Sequence, residues 1–235
     1  MVTEHGNSHD RHEDVWIVIP AFNESHVIGD VVAGLRRRWR SVVVVDDASS
    51  DKTSDRARDT GAMVLRHLVN RGQGAALQTG IEFALRRGAQ IIVTFDADGQ
   101  HDVEDVSTLV GPIARAECDI TLGSRFLGRS VDIPSSRLLL LRVAIWFTRL
   151  TSRLSVTDAH NGLRAFSRRA AERIHLTEDR MAHASEIMDQ IAASGLPYRE
   201  IAVRVRYTEY SLAKGQRASG AFRIILHYIV GRFFQ

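Results

Sequence analysis

The chain is poor in cysteine: Cys118 stands alone among 235 residues. No intrachain disulfide can form, which fits a reducing, cytoplasmic compartment. A lone thiol without a neighbouring base reads as a partly buried side chain rather than a nucleophile. Long apolar runs are missing as well. No stretch reaches the roughly 20 residues a membrane-spanning helix needs, so the chain is expected to be soluble or peripheral. Nor does the N-terminus carry an apolar signal core; residues 1–14 are polar, rich in His and acid, and expected to form a disordered leader. The formal charge of +3 is too small to argue for nucleic acid as a partner. Two nucleotide signatures are also absent. There is no Gly-x-Gly-x-x-Gly after the first apolar segment and no Gly-Lys-Ser/Thr loop, so a bound pyrophosphate would have to be neutralised by other means.

What is present alternates between strand and helix. Val15 to Ile19 is a continuous apolar run that stops at Pro20, as a buried strand would. Val27, Ile28, Val31, Val32, Leu35 and Trp39 give Glu24 to Trp39 a helical stripe. Val42 to Val45 reads as a second strand, Thr53 to Thr60 as a helix and Met63 to Leu65 as a short third strand. Gly74 to Arg87 reads as a helix, Ile91 to Phe95 as a fourth strand and Ile120 to Leu122 as another. Further on, Glu186 to Ala193 is a helix candidate, and Ile201 to Arg206 alternates like a half-exposed strand. The length fits one domain, and this order predicts a mostly parallel sheet with helices on both faces. Ligands of such sheets bind beyond the carboxyl ends of the strands. Pro20 to Glu24, Asp46 to Asp51 and Asp96 to His101 should therefore converge on one edge.

The strongest chemical signal is Asp96-Ala97-Asp98-Gly99-Gln100-His101. Two carboxylates closely spaced after a buried strand suit Mg²⁺ or Mn²⁺, hard cations that usually also hold substrate phosphates. Asp46-Asp47-Ala48-Ser49-Ser50-Asp51 is the second signal. A carboxylate there can accept from a base or a ribose hydroxyl, while Ser50 or Asp51 can equally cap the next helix.

These segments resemble a known family. Pro20-Ala21-Phe22-Asn23-Glu24, Val45-Asp46-Asp47-Ala48-Ser49, Asn70-Arg71-Gly72-Gln73-Gly74 and Asp96 to His101 look like the ordered motifs of family-2 glycosyltransferases with the GT-A fold. The branch they resemble contains dolichol-phosphate mannose synthase and polyprenyl-phosphate glycosyltransferases. Gly123-Ser124-Arg125-Phe126 and Asp158-Ala159-His160-Asn161-Gly162-Leu163-Arg164 extend the likeness to about residue 166. The family pattern usually has Ser and Phe where this chain has Asn161 and Leu163.

The resemblance implies a Rossmann-like GT-A domain over residues 15–210. It implies further a C-terminal acceptor-side segment, residues 211–235, made of a basic loop and an amphipathic helix. Pro20, Ala21, Asn23, Glu24 and Asp47 would line the nucleoside pocket, with Asn70, Arg71, Gly74, Asp96 and Lys214 near the nucleotide. Asp96, Asp98 and Gln100 would hold the metal and diphosphate. Arg125, Lys214 and Arg217 are candidates to stabilise the leaving group, and Arg217 and Asp98 are placed with the catalytic residues.

The implied reaction is inverting transfer of a hexose from a GDP-, UDP- or dTDP-sugar. A sugar hydroxyl as acceptor needs a general base, for which Glu186 and Asp158 are the carboxylates to watch, whereas a lipid phosphate is already anionic. The absence of a clear base favours polyprenyl phosphate at the cytoplasmic membrane face; transfer to a saccharide hydroxyl in surface polysaccharide synthesis stays open. Leu138 to Leu150 and Ala221 to Phe234 combine apolar surface with Arg, as interfacial helices do, and equally as packing helices or a subunit interface would.

Overall fold

The computed structural model describes residues 14–127, 154, 156–159, 161–177 and 183–206. The leader over residues 1–13, the Leu138 to Leu150 segment and everything after residue 206, including Lys214 and Arg217, lie outside the described residues.

A seven-stranded sheet runs in the order β3-β2-β1-β4-β6-β5-β7. Its strands are β1 Val15–Ala21, β2 Ser41–Asp46, β3 Met63–Arg66, β4 Ile91–Thr94, β5 Ile120–Ser124, β6 Arg164–Ser167 and β7 Tyr198–Ala202. The helices are α1 Ile28–Arg36, α2 Thr53–Asp59, α3 Gln73–Arg86, α4 Asp105–Ala114, the single turn α5 Arg168–Ala171 and α6 His183–Ser194. β6 alone runs antiparallel in this sheet, wedged between β4 and β5. The mixed α/β architecture is thus the expected one, with the sheet mostly parallel.

The continuous apolar strands are explained by burial on both faces. Val15, Ile17 and Ile19 of β1 and Val42 and Val44 of β2 join Ile28, Val32 and Leu35 of α1 and Val106 and Leu109 of α4. Their neighbours Trp16, Val18 and Val43 point the other way, onto Leu77, Ile81 and Ala84 of α3 and Ile187 and Ile191 of α6. Each fully buried aliphatic side chain contributes about 1.5–3 kcal/mol, so these two apolar layers account for much of the stability. Cys118 is buried as well, and burial pushes its thiol up, in keeping with an inert side chain.

Three local outcomes differ from the sequence reading. β1 continues through Pro20 to Ala21. Val18 C=O accepts from Phe95 N at 3.0 Å, and Pro20, two residues on, turns its nitrogen to the same side, where β4 has already ended. The missing N–H therefore breaks no ladder bond. Helix α4, an element the sequence reading does not contain, carries Gly111 and Pro112, and Pro112 is accommodated near its C-terminal end. The alternating segment Ile201 to Arg206 enters the sheet only up to Ala202, because β5 ends at Ser124, the partner of Ala202. Val203 and Val205 remain buried beyond the ladder.

α3 lies unusually close to the sheet. A Cβ at Gly80 would overlap Val18 Cγ1 and sit 3.2 Å from Val45 Cγ2. Gly80→Ala is therefore expected to destabilise by about 1–3 kcal/mol through overpacking, despite its better helix propensity. Urea denaturation checks this; an unchanged or higher midpoint would contradict the close approach.

Candidate active site

The carboxyl edge of the sheet gathers the loops after β1, β2 and β4. Asn23, in a left-handed conformation at φ 54°, uses Oδ1 to accept from Ser50 N at 2.9 Å, and its own N–H donates to Ser49 Oγ at 2.9 Å. Glu24 N donates to Thr53 Oγ1 at 2.8 Å and Ser25 N to Asp51 Oδ2 at 3.1 Å. Asp51 Oδ1 also accepts from Thr53 N, so this residue braces the start of α2 as a capping role would. Pro20 and Ala21 pair with Val45 and Asp46, bringing the first two loops side by side.

Asp47 is nearly fully buried and organises the loop before α3. Its Oδ1 lies 2.7 Å from His67 Nδ1 and accepts from Arg71 N at 2.9 Å, while Oδ2 accepts from Gly72 N at 2.6 Å. Asn70 Nδ2 donates to the Asp47 carbonyl at 3.3 Å. Gly72 adopts φ 98°, open to glycine, and lets the chain turn into α3, whose first turn buries Gly74. A carboxylate against these N-terminal amides is also favoured by the helix dipole. The sequence signs therefore converge in space: Asn23, Asp47, Asn70, Arg71 and Gly74 frame one end of the edge, and the Glu24 carboxylate lies within range of Asp98.

Asp96 and Asp98 occupy the other end. Gln73 Nε2, at the head of α3, donates to Asp96 Oδ1 at 3.1 Å, and His101 Nε2 lies 3.1 Å from Asp96 Oδ2. His101 is held edge-on to Phe95, with ring centroids 5.5 Å apart. Burial opposes charge on Asp96, but the His101 hydrogen bond and the charges of His101, Arg164 and His183 outweigh it and hold the carboxyl below its ordinary value. Asp98 behaves oppositely. Burial first, then the Asp96 charge and that of Glu24, push it up to about 6, against a hydrogen bond from Gln100 N at 3.0 Å. Burial and two neighbouring carboxylates thus make charge on Asp98 costly, and an oxygen-rich corner of this kind fits a divalent cation. Among the described residues no three His, Cys, Asp or Glu side chains close a metal cage, so other oxygens would have to complete the shell.

A row of buried charge leads away from Asp96. Arg164, at the start of β6, is buried and pulled down to about 10 by that burial, with the charges of Asp96 and Asp158 resisting. Asp158 Oδ2 accepts from both Arg125 Nε at 2.6 Å and Arg125 N at 3.1 Å. Glu200 Oε1 in turn accepts from Thr157 N at 2.8 Å and Asp158 N at 3.2 Å, tying this loop to β7. Glu186 stands apart in a bracing role: its Oε1 accepts from Thr177 N at 2.9 Å and Thr177 Oγ1 at 2.6 Å. Between α3 and α6 lies a cavity of about 120 Å³ lined by Gln73, Leu77, Asp96, Gly162, Arg164 and His183. Sequence reasoning assigned no role to Gln73, His101, Arg164 or His183. The signal for Arg164 was available, since a cation in a four-residue strand otherwise built for burial demands nearby carboxylates.

A family model described as "Glycosyl transferase family 2" matches residues 16–174. The chain belongs to that family. This family-2 glycosyltransferase is 38% identical over 227 residues to the protein MJ1222 of Methanocaldococcus jannaschii, covering 94% of the chain and 93% of that protein. It is 29% identical to a UDP-N-acetylglucosamine–dolichyl-phosphate N-acetylglucosaminyltransferase of Methanococcus voltae, covering 92% and 95%. To the polyprenol monophosphomannose synthase of Mycolicibacterium smegmatis it is 28% identical, covering 88% and 82%. The fold is also that of Mycobacterium tuberculosis glucosyl-3-phosphoglycerate synthase, crystallised with Mg²⁺ and UDP. That match has a TM-score of 0.66 at 21% identity and covers 86% of this chain and 73% of that one.

The Arg125–Asp158 pair gives a direct test. Arg125→Ala strips Asp158 of its hydrogen-bonded cation, leaving only the nearby Arg164 charge, and should cost about 3 kcal/mol of stability, read from chemical denaturation. A loss below about 1 kcal/mol would show that Asp158 is not held as the geometry requires.

Proposed function

We propose that this glycosyltransferase moves a hexose from a nucleotide-sugar to a polyprenyl phosphate, with inversion, at the cytoplasmic face of a membrane. The observation that carries this reading is the division of carboxylates at the sheet edge. Asp98 is buried beside Asp96 and Glu24, which push it up to about 6, whereas Asp158 Oδ2 and Glu186 Oε1 are engaged in bracing contacts. An anionic acceptor needs no strong base, so a site whose further carboxylates Asp158 and Glu186 each brace a neighbouring loop suits a phosphate nucleophile. Two of the full-length relatives named above carry dolichyl-phosphate or polyprenol in their names, which supports the same acceptor class. No helix among the described residues is long and apolar enough to cross a membrane.

In this reading the nucleoside lies against Pro20, Ala21, Asn23, Glu24, Asp47, Asn70, Arg71 and Gly74. Asp98, with Asp96 and Gln100 beside it, would hold Mg²⁺ or Mn²⁺. Bound there together with the donor phosphates, the cation supplies charge stabilisation for the leaving diphosphate. Asp96, kept ionised by His101 and Arg164, orients the donor at its reacting end. The acceptor phosphate oxygen forms the new bond to the anomeric carbon as the bond to the diphosphate oxygen breaks. Lys214 and Arg217 are proposed to approach the departing diphosphate, and Arg125 to bear on the same charge through its loop.

The test is a panel of GDP-, UDP- and dTDP-sugars with a short polyprenyl phosphate and Mn²⁺ or Mg²⁺, products identified by mass spectrometry. One nucleotide-sugar is expected to yield a lipid-linked sugar, and Asp98→Asn to lower turnover by roughly 100-fold or more. Turnover indifferent to chelator would remove the metal from the mechanism. Transfer to free saccharides but never to lipid phosphate would instead favour the hydroxyl-directed alternative.

A further inference from the structure

Gly162 does not owe its identity to backbone conformation, since its φ lies outside the left-handed region. It owes it to space. A Cβ at this position would overlap both carboxylate oxygens of Asp96 and sit 2.5 Å from its Cγ. The Asp96 carboxylate thus lies in the volume where a side chain of residue 162 would be. Neither partner is free to retreat. The Gly162 carbonyl accepts from Thr94 Oγ1 at 2.7 Å, Leu163 N donates to Asn161 Oδ1 at 2.9 Å, and Gly123 N donates to the Leu163 carbonyl at 2.9 Å. On the far side Asp96 is held by Gln73 and His101, each at 3.1 Å.

We propose that Gly162 is a positioning residue for the donor-site carboxylate: its missing side chain is the socket that fixes Asp96 between Gln73 and His101. This rests on the reading of Asp96 and Asp98 as the donor end of the site, but not on any particular sugar or acceptor. In Gly162→Ala the new methyl drives the Asp96 carboxylate away from Gln73, His101 or both. The corner that receives the cation is then deformed although every ligand is still present.

The experiment is a double-mutant cycle on the full chain, combining Gly162→Ala with Asp96→Ala, with Gly29→Ala as control because a Cβ there meets nothing within 4 Å. Gly162→Ala alone should lower the folding equilibrium constant by roughly tenfold to a hundredfold, the usual scale of overpacking. In the Asp96→Ala background, where the obstructing carboxylate is gone, the same change should cost less than about threefold. If Gly162→Ala alone fails to fold, recovery of folding in the double variant is the supporting result. Equal cost in both backgrounds, or failure of both to fold, overturns the proposal.

A second readout follows function without turnover. Mn²⁺ titration in the presence of UDP or GDP, followed by electron paramagnetic resonance, should show Gly162→Ala weakened at least tenfold while Gly29→Ala matches the parent. The imidazole N–H resonance of His101 should shift only in Gly162→Ala. Parental Mn²⁺ affinity together with a parental His101 signal would also sink the proposal. These outcomes stand apart from the acceptor question, since no sugar is transferred in either measurement.

Discussion

The arrangement turns on one pairing, the antiparallel insertion of β6 beside β4. Parallel βα units alone would leave the segment after Thr94 flanked by loops. β6 instead sets Arg164 opposite Thr94 and brings the preceding Gly162 against Asp96. One backbone register thereby brings a cation and the open face of Gly162 to the same carboxylate, and the Gly162 carbonyl is fixed there by Thr94 Oγ1. Because a one-residue slip would turn Arg164 to the opposite face of the sheet, the apolar alternation of Ala165 and Phe166 that fixes the register also fixes the electrostatics of the site.

Two ends of the edge are built on different electrostatic terms. Around Asp47 the negative charge is matched by local donors, namely backbone amides of Arg71 and Gly72 and the His67 ring, so that end is preorganised as a shaped surface. Around Asp98 it is not matched, since Asp96 and Glu24 both add repulsion to the effect of burial. A fold tolerates such imbalance only where another ligand relieves it or where the neighbouring structure is over-determined. The row Arg125, Asp158, Arg164, Asp96 meets the second condition: each member sits beside opposite charge, and the row is anchored to β7 through Glu200.

Much of this was legible in the amino-acid order, for identifiable reasons. Strands β1, β2 and β4 are apolar on both faces, and such runs announce themselves without periodicity. The loops that follow them hold their acids where a parallel sheet must expose them, so the order of strands alone puts Asp47, Asp96 and Asp98 on a common edge. β6 was not visible: Arg164 and Ser167 frame only two apolar residues, too few to distinguish a strand from a turn. α4 was hidden by Gly111 and Pro112, which weaken propensity but are tolerated near a helix end. Glu186 drew attention as a carboxylate near the expected acceptor side, yet its bracing of Thr177 depends on a loop closure that spacing does not encode.

The residues missed at the site share a physical character. Gln73 and Gly162 act on Asp96 by contact from distant segments, which leaves no trace in local pattern, and His101, though only five residues on, reaches Asp96 through a turn that spacing alone does not specify. Motifs identify the groups that meet a ligand, whereas the side chains that orient those groups are selected by geometry, and a glycine selected for absent volume is the least visible of them. The precision of a site of this type therefore resides less in its acids, which many loops could supply, than in the close approach of two strands that leaves one of those acids a single place to lie.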